Sequence, residues 1–211
     1  MSINQFAGHH HWLDSIVIGI AEGMPYLFIG LVMALWCYLY RPGLRNARLA
    51  DSVLDSSRLD SSRLYRARQY QQALIAATLA AVLAMAINFA IGQFYYHPRP
   101  FALGLGTNLV AHAANTSFPS DHTSFLFAIA FTLLNYGLSR GLNLCLLGLA
   151  LLGGLARVYT GVHFPFDIVA AIVTAGCASA IVYRAHAYLS PAYAGIIRLS
   201  DKLYAALILR A

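Results

Sequence analysis

Charge is what this sequence has least of. Only 10% of its 211 residues are charged, whereas 59% are hydrophobic, and the mean hydropathy is +0.62. A soluble domain of this size needs far more polar surface to cover its core. The composition excludes that class and indicates a bilayer protein. Cysteine is scarce as well. Cys37, Cys145 and Cys177 each lie inside an apolar run, with no CxxC spacing. That excludes a disulfide framework or a zinc site and predicts buried packing residues. No Lys or Arg precedes Arg41, so the basic start of a secretory signal peptide is missing. Two-residue alternation is lacking from the apolar runs, which leaves helices rather than a closed barrel to satisfy the backbone in lipid.

Five apolar runs are present, at about 15–40, 73–96, 120–138, 142–159 and 167–183. Each has roughly the length that crosses a bilayer, ~20 residues. Residues 190–211 differ. Tyr193, Ile196, Ile197, Tyr204, Leu207 and Ile208 share one helical face, with Arg198, Asp201 and Lys202 on the other. Three charges in mid-span would be costly, so this tail reads as an amphipathic interfacial helix, with a sixth span as the alternative. The predicted fold is an all-α integral membrane bundle of five spans plus that helix, forming one domain over 1–211.

A net charge of +6 could suggest nucleic acid; the placement of the charges argues for a membrane instead. Segment 41–72 reads as an Arg-rich cytoplasmic loop holding Arg41, Arg45, Arg48, Arg58, Arg63, Arg66 and Arg68. It contains a tandem repeat, 54–58 then 59–63, read as a solvated linker. With five spans the N-terminus falls outside and the C-terminus inside. Arg140, Arg184, Arg198, Lys202 and Arg210 then join the cytoplasmic side, and only Arg99 and Arg157 face out. Ala170, Thr174 and Ala178, with Gly148, Gly153 and Gly154, read as packing surfaces.

The two outward arginines fall within three segments that reach one membrane face. These are Tyr96-His97-Pro98-Arg99-Pro100-Phe101, Phe118-Pro119-Ser120-Asp121-His122-Thr123, and residues 157–167 from Arg157 to Asp167. The periplasmic loop 97–119 spans the first two. Arginine forks match phosphate oxygens and stay charged. Pro119-Ser120 precedes a helix whose free N–H groups favour an anion, and Ser120 adds a hydroxyl. His163 and Asp167 are four residues apart around a helix start at Pro165, hence on one face. A carboxylate on one ring nitrogen fixes the tautomer and leaves the other nitrogen free to attack. His122 can then act as general acid for the leaving group.

These three segments resemble the signature of the type-2 phosphatidic acid phosphatase superfamily: Lys-x6-Arg-Pro, Pro-Ser-Gly-His and Ser-Arg-x5-His-x3-Asp, matched over about 88–167. Phe-Pro-Ser-Asp-His-Thr, preceded by His-Pro-Arg-Pro-Phe, is similar to its undecaprenyl-diphosphate phosphatase branch. The resemblance implies a bacterial multi-pass enzyme that hydrolyses undecaprenyl diphosphate at the periplasmic face without cofactor or metal. It implies His163 as the nucleophile forming a phosphohistidine, Asp167 as its orienting group and His122 as proton donor. Arg99, Ser120 and Arg157 would hold the phosphoryl oxygens. The membrane and a lipid-linked diphosphate are the expected partners, with no nucleic acid. Other lipid phosphates (phosphatidate, phosphatidylglycerol phosphate, lipid A) are the alternative substrates, and a non-catalytic lipid-phosphate binder is the rival class. The chain departs from the pattern at Gly92 (Lys expected), Asp121 (Gly) and Ala156 (Ser).

Four further residues are candidates. Glu22 is an acid within the first span and so a functional candidate by default. Gln93 neighbours the missing Lys position and could substitute as a donor. Asp121 could cap the third helix. His97 adjoins Arg99 and could support it. His112 lies in a partly apolar segment expected to fold over the site or along the interface. His9, His10 and His11 read as an interfacial tail.

Overall fold

The computed structural model describes residues 3–49 and 57–208, without the side chains of 40–63, 205 and 207–208. Among the described residues six α-helices follow one another: α1 (His11–Leu49), α2 (Ser57–Phe94), α3 (Asp121–Asn135), α4 (Arg140–Tyr159), α5 (Pro165–Arg184) and α6 (His186–Ile208). No strand occurs among the described residues, as the absence of alternation predicts. The chain is a helical membrane bundle.

Among the described residues four segments are long and apolar enough to cross a membrane: His11–Leu39, Leu64–Phe94, Arg140–Tyr159 and Pro165–Arg184. The third apolar run forms a shorter helix. α3 has 15 residues, about 22 Å at ~1.5 Å per residue, because Gly137 turns the chain with a φ of +72°. Ser139 then caps α4 by accepting from the Leu142 amide.

α3 is the bundle's axis, packed against α2, α4 and α5. Small residues permit the close approach. Ala73, Ala77, Ala80 and Ala84 make a fully enclosed stripe on α2, and Ala171, Ala175 and Ala178 do the same on α5. A Cβ on Gly153 would meet Leu126 at 2.7 Å, and one on Gly154 would meet Ile168 at 3.0 Å. Both glycines are packing surfaces, as expected, whereas Gly148 faces open space.

Two expectations are corrected. Segment 41–72 is not a loop. α1 continues to Leu49 and α2 begins at Ser57, since this stretch is rich in Leu and Arg, which favour helix even where the segment is polar. Residues 50–56, including the start of the tandem repeat, lie outside the described residues. The three cysteines are exposed rather than buried. In a membrane bundle the outward face meets lipid, so an apolar run does not mark the core side.

α6 settles the tail by distance. It starts at the foot of α5, yet Asp201 still reaches Arg68 on the early part of α2 with a bidentate ion pair. A helix turning back across the bundle would have climbed about 22 Å by then. It crosses the base instead, burying Tyr193 and Ile197.

Candidate active site

The ends of α2, α3, α4 and α5 opposite that base carry the three motif segments. Each segment is locally constrained. Pro165 opens α5 with Phe164 as N-cap, and Asp167, third in the helix, accepts the Phe164 amide at 2.8 Å. This bond pins the carboxylate at the helix start. Gly161 has a φ of +77°, and a Cβ there would collide with the Thr107 carbonyl. The turn brings His163 back over Arg157, whose carbonyl accepts the Val162 and His163 amides. Loop 97–119 folds over the site. Leu109 donates to the Thr160 carbonyl, and Thr107 is held by buried Asn4.

His163 is buried at 2% exposure and Asp167 at 0%. His163 Nδ1 approaches Asp167 Oδ2 at 3.4 Å, at the outer edge of hydrogen-bond range. Its other nitrogen, Nε2, is 3.2 Å from an Arg99 Nη1 donor. A guanidinium donates only, so Nε2 carries the lone pair and Nδ1 the proton. Burial pushes the His163 imidazole down to about 4, and the charges of Arg99 and Arg157 act in the same direction against the opposing Asp167. The ring is neutral and nucleophilic near neutral pH.

Arg99 is almost wholly enclosed. Its Nε donates to Asn115 Oδ1 at 3.0 Å, Nη1 to the Val162 carbonyl at 3.2 Å and Nη2 to the Thr116 carbonyl at 3.2 Å. Burial first, then the Arg157 charge, lowers it to about 10, still cationic at neutral pH. Arg157 is 1% exposed and donates through Nη1 to Glu22 at 2.5 Å. Its Nε and Nη2 have no hydrogen-bond partner among the described residues. Two buried guanidinium donors without acceptors are an anion site by chemistry.

A cavity of about 290 Å³ opens beside these groups. Arg99, His112, Asn115, Asp121, His122 and His163 line its polar end. Pro25, Ile29, Met85 and Phe125, from α1, α2 and α3, line its apolar flank. Burial lowers the His112 imidazole, leaving it neutral there. Ser120 is enclosed behind the cavity and differs from expectation in part. It N-caps α3, but its own amide donates to the Asp167 carbonyl at 3.3 Å, and its hydroxyl accepts from Thr123 at 3.0 Å. The first-turn amides after it remain the helix's anion donors.

The other candidates separate. Asp121 sits in the first turn of α3 and accepts from Asn88 at 3.0 Å. Glu22 joins the site through Arg157. Gln93 is exposed and lines no part of the cavity. A Cβ on neighbouring Gly92 would press on the Thr116 methyl at 3.1 Å. His97 faces Asp167 rather than Arg99. Sequence reasoning missed Asn115, Ser117 and Asp14. Buried Asp14 accepts from Tyr159 Oη at 2.8 Å and from the Gly8 amide at 3.2 Å, tying the N-terminus to the site. Polar residues within a partly apolar loop were the only signal for Asn115.

The profile of the PAP2 superfamily matches residues 73–191. The chain is 26% identical over 202 residues to "Undecaprenyl-diphosphatase BcrC" of Bacillus subtilis, covering 96% of this chain and 90% of that one. It is 36% identical over 120 residues to "Putative undecaprenyl-diphosphatase YbjG" of Escherichia coli, covering 54% and 59%. The crystal structure of Aquifex aeolicus LpxE has a similar fold, with a TM-score of 0.61 at 22% identity over 87% of this chain and 91% of that one.

Proposed function

The chain belongs to the PAP2 superfamily, and from that premise we propose that it is a membrane phosphatase converting undecaprenyl diphosphate to undecaprenyl phosphate and inorganic phosphate. The observation that carries this reading is one cavity with two kinds of wall. His163, His122 and Arg99 line one end, and Pro25, Ile29, Met85 and Phe125 line the flank. A substrate with a phosphorylated head and an apolar tail satisfies both.

The terminal phosphoryl group enters beside Arg99 and the bare Nε and Nη2 of Arg157. His163 Nε2 attacks phosphorus, forming a P–N bond as the P–O bond to the lipid phosphate breaks. His122 delivers its proton to that departing oxygen. Burial lowers the His122 imidazole to about 4, and the arriving negative charge raises it toward the imidazolium form that this requires. Asp167 stabilises the charge on His163 through Nδ1–H. Water, deprotonated by the now neutral His122, attacks phosphorus from the opened side. The P–N bond breaks, and phosphate leaves with His163 neutral again. The arginines offset charge on the equatorial oxygens throughout. The site belongs to the outer membrane face, because the end of the bundle near Arg68, Arg140 and Arg184 is the cation-rich one.

The test is phosphate release by purified protein from undecaprenyl diphosphate, phosphatidate, phosphatidylglycerol phosphate and lipid A, with His163→Ala as control. Preference for the diphosphate and loss of turnover in a folded His163→Ala protein are expected. A folded His163→Ala protein with near-normal turnover overturns the mechanism. A clear preference for another lipid overturns the substrate.

A further inference from the structure

Asp167 has two carboxylate oxygens, and the mechanism above uses one. Oδ2 accepts the Phe164 amide and faces His163. Oδ1 is fully buried with no hydrogen-bond partner of ordinary length among the described residues. A buried anionic oxygen left in that state costs several times what a net hydrogen bond contributes. His97 Nδ1 lies 3.4 Å from it. That is the same separation as between His163 Nδ1 and Oδ2. The carboxylate therefore lies between two imidazoles, each presenting Nδ1.

The surroundings fix the His97 ring. Its Nδ1 is 2.8 Å from the buried Ser117 Oγ. A bare lone pair on Nδ1 would face the carboxylate and be repelled, so Nδ1 carries the proton, shared between Ser117 Oγ and Asp167 Oδ1. The backbone holds the residue as well. His97 donates its amide to Thr116 Oγ1 at 3.2 Å, and its carbonyl accepts the Ser117 amide at 2.8 Å. The ring packs on Phe164 at 5.1 Å and against Tyr95 and Phe118. Through this side chain, as through Arg99, the first motif touches the third.

We propose that His97 is a positioning residue for the phosphatase reaction: its Nδ1–H, backed by Ser117, holds Oδ1 of Asp167 so that Oδ2 stays aimed at His163. This rests on the reading of His163 as nucleophile and Asp167 as its orienting group. A carboxylate tethered only through Oδ2 can rotate about its Cβ–Cγ bond and lose the line to His163. Tethered at both oxygens, it keeps the Nδ1–H tautomer that leaves Nε2 free. His97 reaches no substrate atom in this scheme, so its loss slows the chemical step without weakening binding.

Three substitutions separate this role from ring packing. His97→Phe keeps an aromatic ring among Tyr95, Phe118 and Phe164 and removes the donor. His97→Asn removes the ring and keeps an N–H donor where Nδ1 sits. His97→Ala removes both. kcat and KM would be measured for each on purified protein in detergent with undecaprenyl diphosphate, alongside wild type and His163→Ala. We expect Phe and Ala to lower kcat about 10- to 100-fold, as loss of an orienting hydrogen bond does elsewhere, with KM within about threefold. Asn should recover most of the lost kcat. Near-wild-type kcat in His97→Phe, or no recovery in His97→Asn, overturns the proposal. The control keeps the two claims apart. If His163→Ala is inactive and His97→Phe is fully active, only the positioning role falls. If His163→Ala itself turns over, the nucleophile assignment falls first and takes the positioning role with it.

Discussion

Glu22 and Arg157, 135 residues apart in the chain, meet in an ion pair that encloses the arginine and leaves the carboxylate half exposed. An acid within an apolar span is explained by this partner, since an unpaired charge there would be costly. The pairing also leaves Arg157 with only one of its three donor nitrogens engaged. A phosphate arriving at Nε and Nη2 meets a guanidinium already partly neutralised.

Glu22 and phosphate therefore compete for one cation. Glu22→Gln removes the competing charge and keeps a side chain of the same size. We expect inorganic phosphate to inhibit turnover more strongly, with an inhibition constant lowered about two- to fivefold. The half-exposed carboxylate is screened, which limits the effect to about 1 kcal/mol. Product inhibition curves for wild type and Glu22→Gln measure it. An inhibition constant that rises instead means that Glu22 only holds Arg157 in place.

The His163 imidazole sets the acid side of the pH profile. Its folded value is lowered by burial to about 4, below the usual ~6.5. The attacking form is the neutral one, so activity is retained as pH falls through 6.5 and is lost only as pH approaches 4. The acid limb of kcat/KM should thus have its midpoint near 4. The sign for folding is the same. The unfolded chain takes up a proton at this position below about 6.5, so stability from the neutral buried ring is complete above that pH and is lost as pH falls through about 4. A kcat/KM profile over pH 3.5–8, with thermal unfolding over the same range, checks both. An acid limb at 6.5 would mean that His163 is not held as described.

Gly161 offers a test of the scaffold without touching a reacting group. Its φ of +77° and the Thr107 carbonyl beside it leave no room for a methyl group. Gly161→Ala should destabilise the protein by about 1–3 kcal/mol. It should also lower kcat sharply, because His163 lies two residues on. Thermal unfolding in detergent and turnover measured together check this. Gly104, equally left-handed but with open space around it, is the control: Gly104→Ala should cost stability through its φ and leave the His163 turn untouched.

Much of the architecture was legible in residue order. Continuous apolar runs gave helices because in lipid the backbone must satisfy itself locally. Proline and glycine marked the turns at 161–165. The motifs around Arg99, Ser120, Arg157 and His163 were each readable because the i, i+4 spacing of His163 and Asp167, and a helix start after Pro119, are local geometry. Helix length was less legible. Polarity alone suggested a loop over 41–72, but a polar Leu- and Arg-rich stretch can extend a helix beyond the bilayer.

What residue order determined is the local part: helical spans, a phosphate-type set of arginines and histidines, and the His163–Asp167 pair. Tertiary structure alone decided that Glu22 neutralises Arg157, that Asn115 and Thr116 hold Arg99, that Gln93 stays outside, and that His97 turns to the free oxygen of Asp167. Those contacts join residues from 16 to 135 positions apart. They depend on how closely and at what rotation the helices pack, which alanine and glycine stripes permit but no local pattern specifies.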